Sequence, residues 1–261
     1  MRALLRGVRS LTCVLLVGAW FVPGSVALRL LVLPAAWLFP RLRFLLVSVY
    51  MKVMASGIVG LLTLGGARFR RIGTIPTGAS VLVVANHQSL VDILQLTLLA
   101  KPRVPAFVTR KRYTRFIPLV SASIRLLGSP IVDPRRDPVG SVQAIQRGAR
   151  ELPHGMMIFP EGHRSRDGEI LPFRPSGFVA ILRERPQPVY LVLNDGSFRV
   201  RRFVDLLYRV DLIDAVSEVM GPFAPPSDPE ALQPFLMDLR KRLQDRLAER
   251  RRAAQETSPS S

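Results

Sequence analysis

His87 and Asp92 stand five positions apart in V-L-V-V-A-N-H-Q-S-L-V-D (81–92), and Asp92 is the first acid in the chain. A histidine with a carboxylate at hand can act as a general base. The carboxylate fixes the ring tautomer and stabilises the imidazolium formed when the ring takes a proton. Before the pair, Val81 to Ala85 form an apolar, Val-rich run that reads as a buried strand. After it, S-L-V-D-I-L-Q-L-T-L-L-A predicts a helix over about 90–100 with Ser89 as N-cap. His87 then falls in a strand-to-helix loop and Asp92 in the first helical turn. Open α/β sheets hold their chemistry at such carboxyl ends of strands. The same letters have a plainer reading. Ser89 and Asp92 fit S-x-x-D, close to a capping box, and His87 reads equally as an ordinary loop histidine.

A second stretch, M-M-I-F-P-E-G-H-R-S-R-D-G (156–168), repeats the arrangement. An apolar strand, Met156 to Phe159, runs into the turn Pro160-Glu161-Gly162. Arg164 and Arg166 follow, before an Asp167-Gly168 turn. Guanidinium groups beside a tight turn suit an anionic oxygen such as that of a phosphate. Taken by itself, this stretch also reads as a solvated loop with a surface ion pair.

Together, N-H-Q-S-L-V-D at 86–92 and F-P-E-G-H-R-S at 159–165 resemble the glycerolipid acyltransferase superfamily, and most of all the 1-acylglycerol-3-phosphate O-acyltransferases. That family carries an N-H-x4-D block, a basic block ending in I-P-x-x-G, an F-P-E-G-T-R-S block and a short V-P-V block, in that order. T-R-K-R-Y-T-R-F-I-P-L-V-S at 109–121 stands in the second place and P-V-Y-L-V-L-N-D-G at 188–196 in the fourth. The chain departs from the pattern at His163 (usually Thr), Ser121 (usually Gly) and Leu191 (usually Pro). None of these is a residue assigned to the chemical step.

The resemblance implies an α/β sandwich with a largely parallel sheet. It implies transfer of an acyl group from acyl-CoA or acyl carrier protein to the sn-2 hydroxyl of 1-acylglycerol-3-phosphate. His87 would be the base and Asp92 its orienting carboxylate. Glu161, Gly162, Arg164 and Lys111 would bind the acceptor, with Arg164 and Lys111 on its phosphate. An acceptor alcohol held next to a base needs no Ser or Cys nucleophile. No cofactor is expected beyond the acyl donor, and three histidines with one distant cysteine give no metal-ligand spacing. Two rivals stand beside this reading. One is the same chemistry on another lysolipid, such as a lyso-ornithine lipid. The other is a silent membrane-binding module, against which intact His87, Asp92, Glu161 and Arg164 argue. A serine hydrolase is disfavoured because no G-x-S-x-G elbow occurs.

Composition sets the surroundings. The 261 residues are 48% hydrophobic yet carry a net charge of +18. Residues 1–132 hold 17 Lys/Arg and a single acid. That basic half also holds the apolar runs, Leu11–Leu28, Leu30–Pro40 and Phe44–Ala67, the last broken by Lys52. Apolar runs flanked by arginine point to an anionic membrane surface. Nucleic acid is disfavoured because the aromatics do not interleave with the basic residues. Arginines flank both sides, so either spanning helices or a pair lying in one leaflet fits, with Pro23, Pro34 and Pro40 as expected kinks or breaks. Ser25-Val26-Ala27 imitates a signal cleavage site, but the apolar character resumes at Leu30 and favours a retained element. The resemblance implies an inner, cytoplasmic-membrane location with the site facing the cytoplasm. Cys13 is the sole cysteine, so no internal disulfide is possible.

The expected organisation is a membrane element and basic, turn-rich connector over 1–73, a catalytic domain over 74–226, an amphipathic helix over 227–252 and a disordered tail over 253–261. Inside the catalytic domain, strands are expected at 105–109, 129–133, 156–159 and 189–193, with one further strand at 206–212. Helices are expected at 138–152 and 173–183. In the last helix Leu232, Leu236, Leu239, Leu243 and Leu247 make one stripe, expected to pack on the chain's own domain.

Overall fold

The protein is described by a computed structural model covering residues 2–114, 118–200 and 203–256. Among these residues a six-stranded sheet positions everything else. Its strands are β1 (Arg68–Ile72), β2 (Leu82–Ala85), β3 (Ala106–Phe107), β4 (Met156–Ile158), β5 (Val189–Asp195) and β6 (Asp214–Phe223), in the spatial order β1-β6-β5-β2-β4-β3. The four strands β5, β2, β4 and β3 are mutually parallel. β6 runs antiparallel to β5, and β1 pairs parallel with β6. β2 is central and buried along its length. That explains its unbroken apolar sequence, since a strand covered on both faces has no solvent side to mark with polar residues.

The pleat divides β2 between two cores. Leu82 and Val84 pack with Phe178 and Ile181 of α7 (Pro175–Glu184), Ile145 of α6 (Pro138–Glu151), and Leu236 and Leu239 of the C-terminal helix. Val83 and Ala85 pack on the other face with Leu96 and Leu99 of α4 (Val91–Leu99). All five leucines of the expected C-terminal stripe are buried, on α9 (Leu232–Glu256). Asp137 caps α6, the helix after α5 (Pro118–Leu126), through the Gly140 amide at 2.8 Å, ahead of a first-turn proline.

The N-terminal element consists of α1 (Arg2–Ala27), a π-helical segment at Leu28–Val32, α2 (Leu33–Leu38) and α3 (Arg43–Leu64). Pro23 lies within α1 rather than ending it. The π segment sits just ahead of Pro34, the kind of irregularity that accompanies helix bends, and the chain turns at Phe39-Pro40. Gly7–Leu38 and Pro40–Leu64 are long and apolar enough to cross a membrane, judged by length and composition. They leave Leu15, Val22, Leu30, Leu31 and Trp37 exposed.

Three segments differ from the expected layout. Residues 68–72, read as part of a turn-rich connector, form the edge strand β1. Its side chains face outward along most of its length, so R-F-R-R-I carries almost no strand alternation. Residues 206–212, read as a strand, lie in α8 (Phe203–Arg209) and the short 3-10 turn that follows. Partners elsewhere in the chain cause this: Leu206 and Val210 pack with Cys13 of α1 and Leu62 of α3. The strand comes later, as β6. The expected tail at 253–256 is the last turn of α9, and 257–261 lie outside the described residues.

Candidate active site

His87 and Asp92 meet at the carboxyl end of β2. His87 Nδ1 lies 2.9 Å from Asp92 Oδ2. The same oxygen accepts the backbone amides of Gln88 at 2.6 Å and Ser89 at 2.8 Å. Asp92 Oδ1 accepts the Ser197 hydroxyl at 2.7 Å. Asp92 is 1% exposed. At that depth these four donors replace the water that the carboxylate loses on burial. With Nδ1 committed to the carboxylate, Nε2 is the ring nitrogen left to accept a proton. The His87 ring stacks on Phe159, with centroids 4.1 Å apart and planes at 21°.

Ser89 takes a different part from the one expected. The helix starts at Val91, and Ser89 Oγ donates to the Val200 carbonyl at 2.5 Å, with the Val91 amide only at 3.4 Å. Asp92, reaching back to the Ser89 amide, makes the stronger half of the capping arrangement. The pairing of chemistry and capping offered as alternatives for S-x-x-D is therefore a single structure, in which Asp92 caps the helix and holds the histidine.

Asn86 fixes the end of β2 against β5. Its side-chain amide donates to the Asn194 carbonyl at 2.8 Å, and its Oδ1 accepts the Asn194 amide at 2.7 Å. Asn194 Nδ2 returns a bond to the Asn86 carbonyl at 2.8 Å, and its Oδ1 accepts Ser217 Oγ of β6 at 2.7 Å. Every polar atom of both side chains is thus engaged in a buried setting, which makes the junction stiff. Gln88 adds a second tie, donating to the Gly168 carbonyl at 2.9 Å and accepting the Ser197 amide at 3.2 Å.

The loop after β4 closes the other side. The Ser165 amide donates to the His87 carbonyl at 2.8 Å, and the His87 amide donates to Glu161 Oε1 at 3.3 Å. Glu161 is 1% exposed, and its Oε2 is buried without a hydrogen-bond partner. Burial, reinforced by the nearby Asp92 carboxylate, pushes the Glu161 carboxyl up to about 8, against a smaller downward pull from the His87 amide. Gly162 turns the loop with φ of +71°, a conformation that favours glycine. Arg240 of α9 anchors the far side through the carbonyls of Leu171 (3.0 Å) and Ile170 (3.2 Å).

Cationic groups gather beside this loop. Arg110 donates to the Gly162 carbonyl, and the side chains of both Arg110 and Arg174 approach the Cα side of Gly162. Burial and the guanidiniums of Arg112, Arg135 and Arg174 push the Arg110 pKa downward. Like charges held together in this way form a site short of a counter-anion. Lys111, expected on the phosphate, sits exposed on the 3-10 turn after Arg110, and Arg164 is half-buried three residues beyond Glu161. His163 is exposed. Arg115, from the same basic block, lies outside the described residues. The structure therefore brings His87, Asp92, Glu161 and Gly162 together and puts Arg110, rather than Lys111, in contact with the loop. Sequence reasoning assigned no role to Ser197, Asn194, Arg110 or Arg174. Arg110 carried a signal as the first cation of the basic block, and Asn194 as a member of the stretch in the fourth place. Among the described residues, no three His, Cys, Asp or Glu side chains come together as a metal would require.

The chain is similar to known proteins in sequence and in fold. The family model described as Acyltransferase matches residues 67–194. A 1-acyl-sn-glycerol-3-phosphate acyltransferase of Limnanthes douglasii is 26% identical over 183 residues, covering 66% of this chain and 62% of that protein. One of Helicobacter pylori is 33% identical over 135 residues, covering 50% and 55%. The chain thus spans under two thirds of the length of these relatives. The crystal structure of the 1-acyl-sn-glycerophosphate (LPA) acyltransferase PlsC of Thermotoga maritima superposes with a TM-score of 0.67 at 22% identity, covering 95% of this chain and 99% of that one. That likeness fixes the fold, a mostly parallel sheet with an apolar helical element ahead of it. The matched segment runs from β1 through β5 and contains both the His87–Asp92 pair and the Glu161 loop, and over that segment the chain matches the acyltransferase family.

Proposed function

We propose that the chain acylates the sn-2 hydroxyl of 1-acylglycerol-3-phosphate, using an acyl thioester on coenzyme A or acyl carrier protein, to give phosphatidic acid. The observation that carries this reading is the His87–Asp92 contact at 2.9 Å, at a strand end beside the arginines around Gly162. His87 Nε2 takes the proton of the acceptor hydroxyl as its oxygen attacks the thioester carbonyl. The C–S bond then breaks, and the proton passes to the departing thiolate. Such help is typically worth ~10²–10⁴-fold in rate. Asp92 holds the tautomer and steadies the imidazolium. Glu161 braces the loop by accepting the His87 amide. Arg110 and Arg174, with Lys111 and Arg164 nearby in sequence, attract the acceptor phosphate. The names of the relatives support this acceptor, and the two long apolar helices support reaction at a membrane surface. The test is product formation from labelled acyl-CoA with lysophosphatidic acid or monoacylglycerol as acceptor. Phosphatidic acid from the first and little product from the second is the expected result. Equal acylation of both removes the phosphate from the mechanism.

A further inference from the structure

Ser197 lies outside every motif that the sequence presents, yet its hydroxyl is the one group bonded to Asp92 Oδ1 among the described residues. The other three donors to Asp92, namely His87 Nδ1, the Gln88 amide and the Ser89 amide, all address Oδ2. Two of those are backbone groups of the helix start, so they would be present in any helix capped this way. Ser197 comes from the other side of the site, 105 positions along the chain, on the turn after β5. That turn is built for close approach. Gly196 has φ of +87°, and a Cβ there would stand 1.9 Å from the Asp214 carbonyl. Ser197 is 1% exposed, and its own amide is held by Gln88 Oε1 at 3.2 Å. The hydroxyl has one proton. Asp92 Oδ1 at 2.7 Å receives it in preference to Gln88 Oε1 at 3.5 Å.

We infer that Ser197 is a positioning residue for the transfer reaction: by holding Oδ1 it sets the rotation of the Asp92 carboxylate and so the aim and strength of Oδ2 toward His87. This rests on the reading of His87 as base. The titratable groups facing Asp92 among the described residues are His87 on its own loop and Glu161 from the loop after β4. Both remain in place when Ser197 is changed. Without the hydroxyl, the carboxylate has one donor fewer and draws the imidazolium charge more strongly. The pH at which activity turns on then moves upward. The freed oxygen also lets the carboxyl turn, so turnover falls while acceptor binding holds.

The experiment measures initial rates from pH 5 to 9 with labelled acyl-CoA and lysophosphatidic acid in mixed micelles. It uses the full chain and its Ser197→Ala, Ser197→Cys, Ser80→Ala and His87→Ala variants. Ser197→Ala is expected to lower kcat about tenfold and to move the acid limb up by about 0.5–1 pH unit, with the acceptor KM within about twofold. Ser197→Cys, which keeps a weaker donor of similar size, falls between wild type and Ala. Ser80 makes a buried hydroxyl bond to Gln187 Oε1 at 2.5 Å, at the opposite end of the sheet. Ser80→Ala is expected to lower the melting temperature and leave the limb in place. An acid limb in Ser197→Ala that coincides with wild type, while His87→Ala is inactive, overturns the role of Ser197 alone. Activity retained in His87→Ala overturns the base assignment and the role drawn from it. Should Ser197→Ala not purify folded, Ser197→Cys decides on the same criterion.

Discussion

Replacing Glu161 by Gln tests whether this buried carboxyl is neutral in the folded protein. Glu161 is 1% exposed, with Oε2 unpartnered and its ordinary value of 4.5 raised by burial to about 8. A group whose folded value lies above its unfolded one adds stability that is fully present below the unfolded value and lost as pH climbs through the folded value. Between pH 4.5 and 8 the folded chain holds a proton that the unfolded chain has released. The stability therefore declines by about 1.4 kcal/mol per pH unit. From pH 5.5 to 8 this amounts to about 3 kcal/mol, a large share of what holds a domain together. Gln preserves the acceptor for the His87 amide and carries no ionisable proton, so Glu161→Gln removes this part of the decline. The assay is urea unfolding of the full chain in detergent micelles at pH 5.5 and 8, wild type against variant. Convergence of the two proteins at low pH, with the variant more stable by roughly 3 kcal/mol at pH 8, is expected. Parallel curves across this range would mean that Glu161 is ionised throughout, and the reasoning from burial would fail.

Other outcomes follow from the same geometry. Arg110→Ala is expected to raise the acceptor KM at least about tenfold while Lys111→Ala changes it less, because of these two neighbours it is Arg110 that bonds the Gly162 carbonyl; steady-state kinetics with lysophosphatidic acid decide the order. Asp92→Asn is expected to cut kcat by roughly 10³–10⁴, since an amide cannot accept all four donors and favours the wrong histidine tautomer. Leu239→Ala, at a fully buried stripe position, is expected to cost about 2–5 kcal/mol in chemical denaturation and to leave the acceptor KM unchanged.

The features legible in the sequence were those set by local pattern. The β2 run, the α9 leucine stripe and the proline-marked start of α6 each sit where neighbouring residues dictate them. His87 and Asp92 were legible because the two are adjacent in sequence as well as in space. Ser197 and Asn194 were not, because their importance comes from strand order: β5 lies beside β2, and only that pairing brings residue 197 to Asp92. β1 hid because an edge strand facing outward has no reason to alternate. α8 hid because its apolar residues pack on α1 and α3, a choice between helix and strand that no short window contains. Arg110 lost out to Lys111 for a similar reason, since which of two adjacent cations turns toward Gly162 depends on the parallel pairing of Thr109–Arg110 with Ile131–Val132.

The most direct measurement compares wild type and His87→Ala for phosphatidic acid formed from labelled acyl-CoA and lysophosphatidic acid, with both proteins shown to be folded by the same melting transition. Loss of product by at least about a hundredfold in His87→Ala is the predicted result. Full activity in the variant would contradict the assignment of His87 as the base and, with it, the mechanism built on the Asp92 contact.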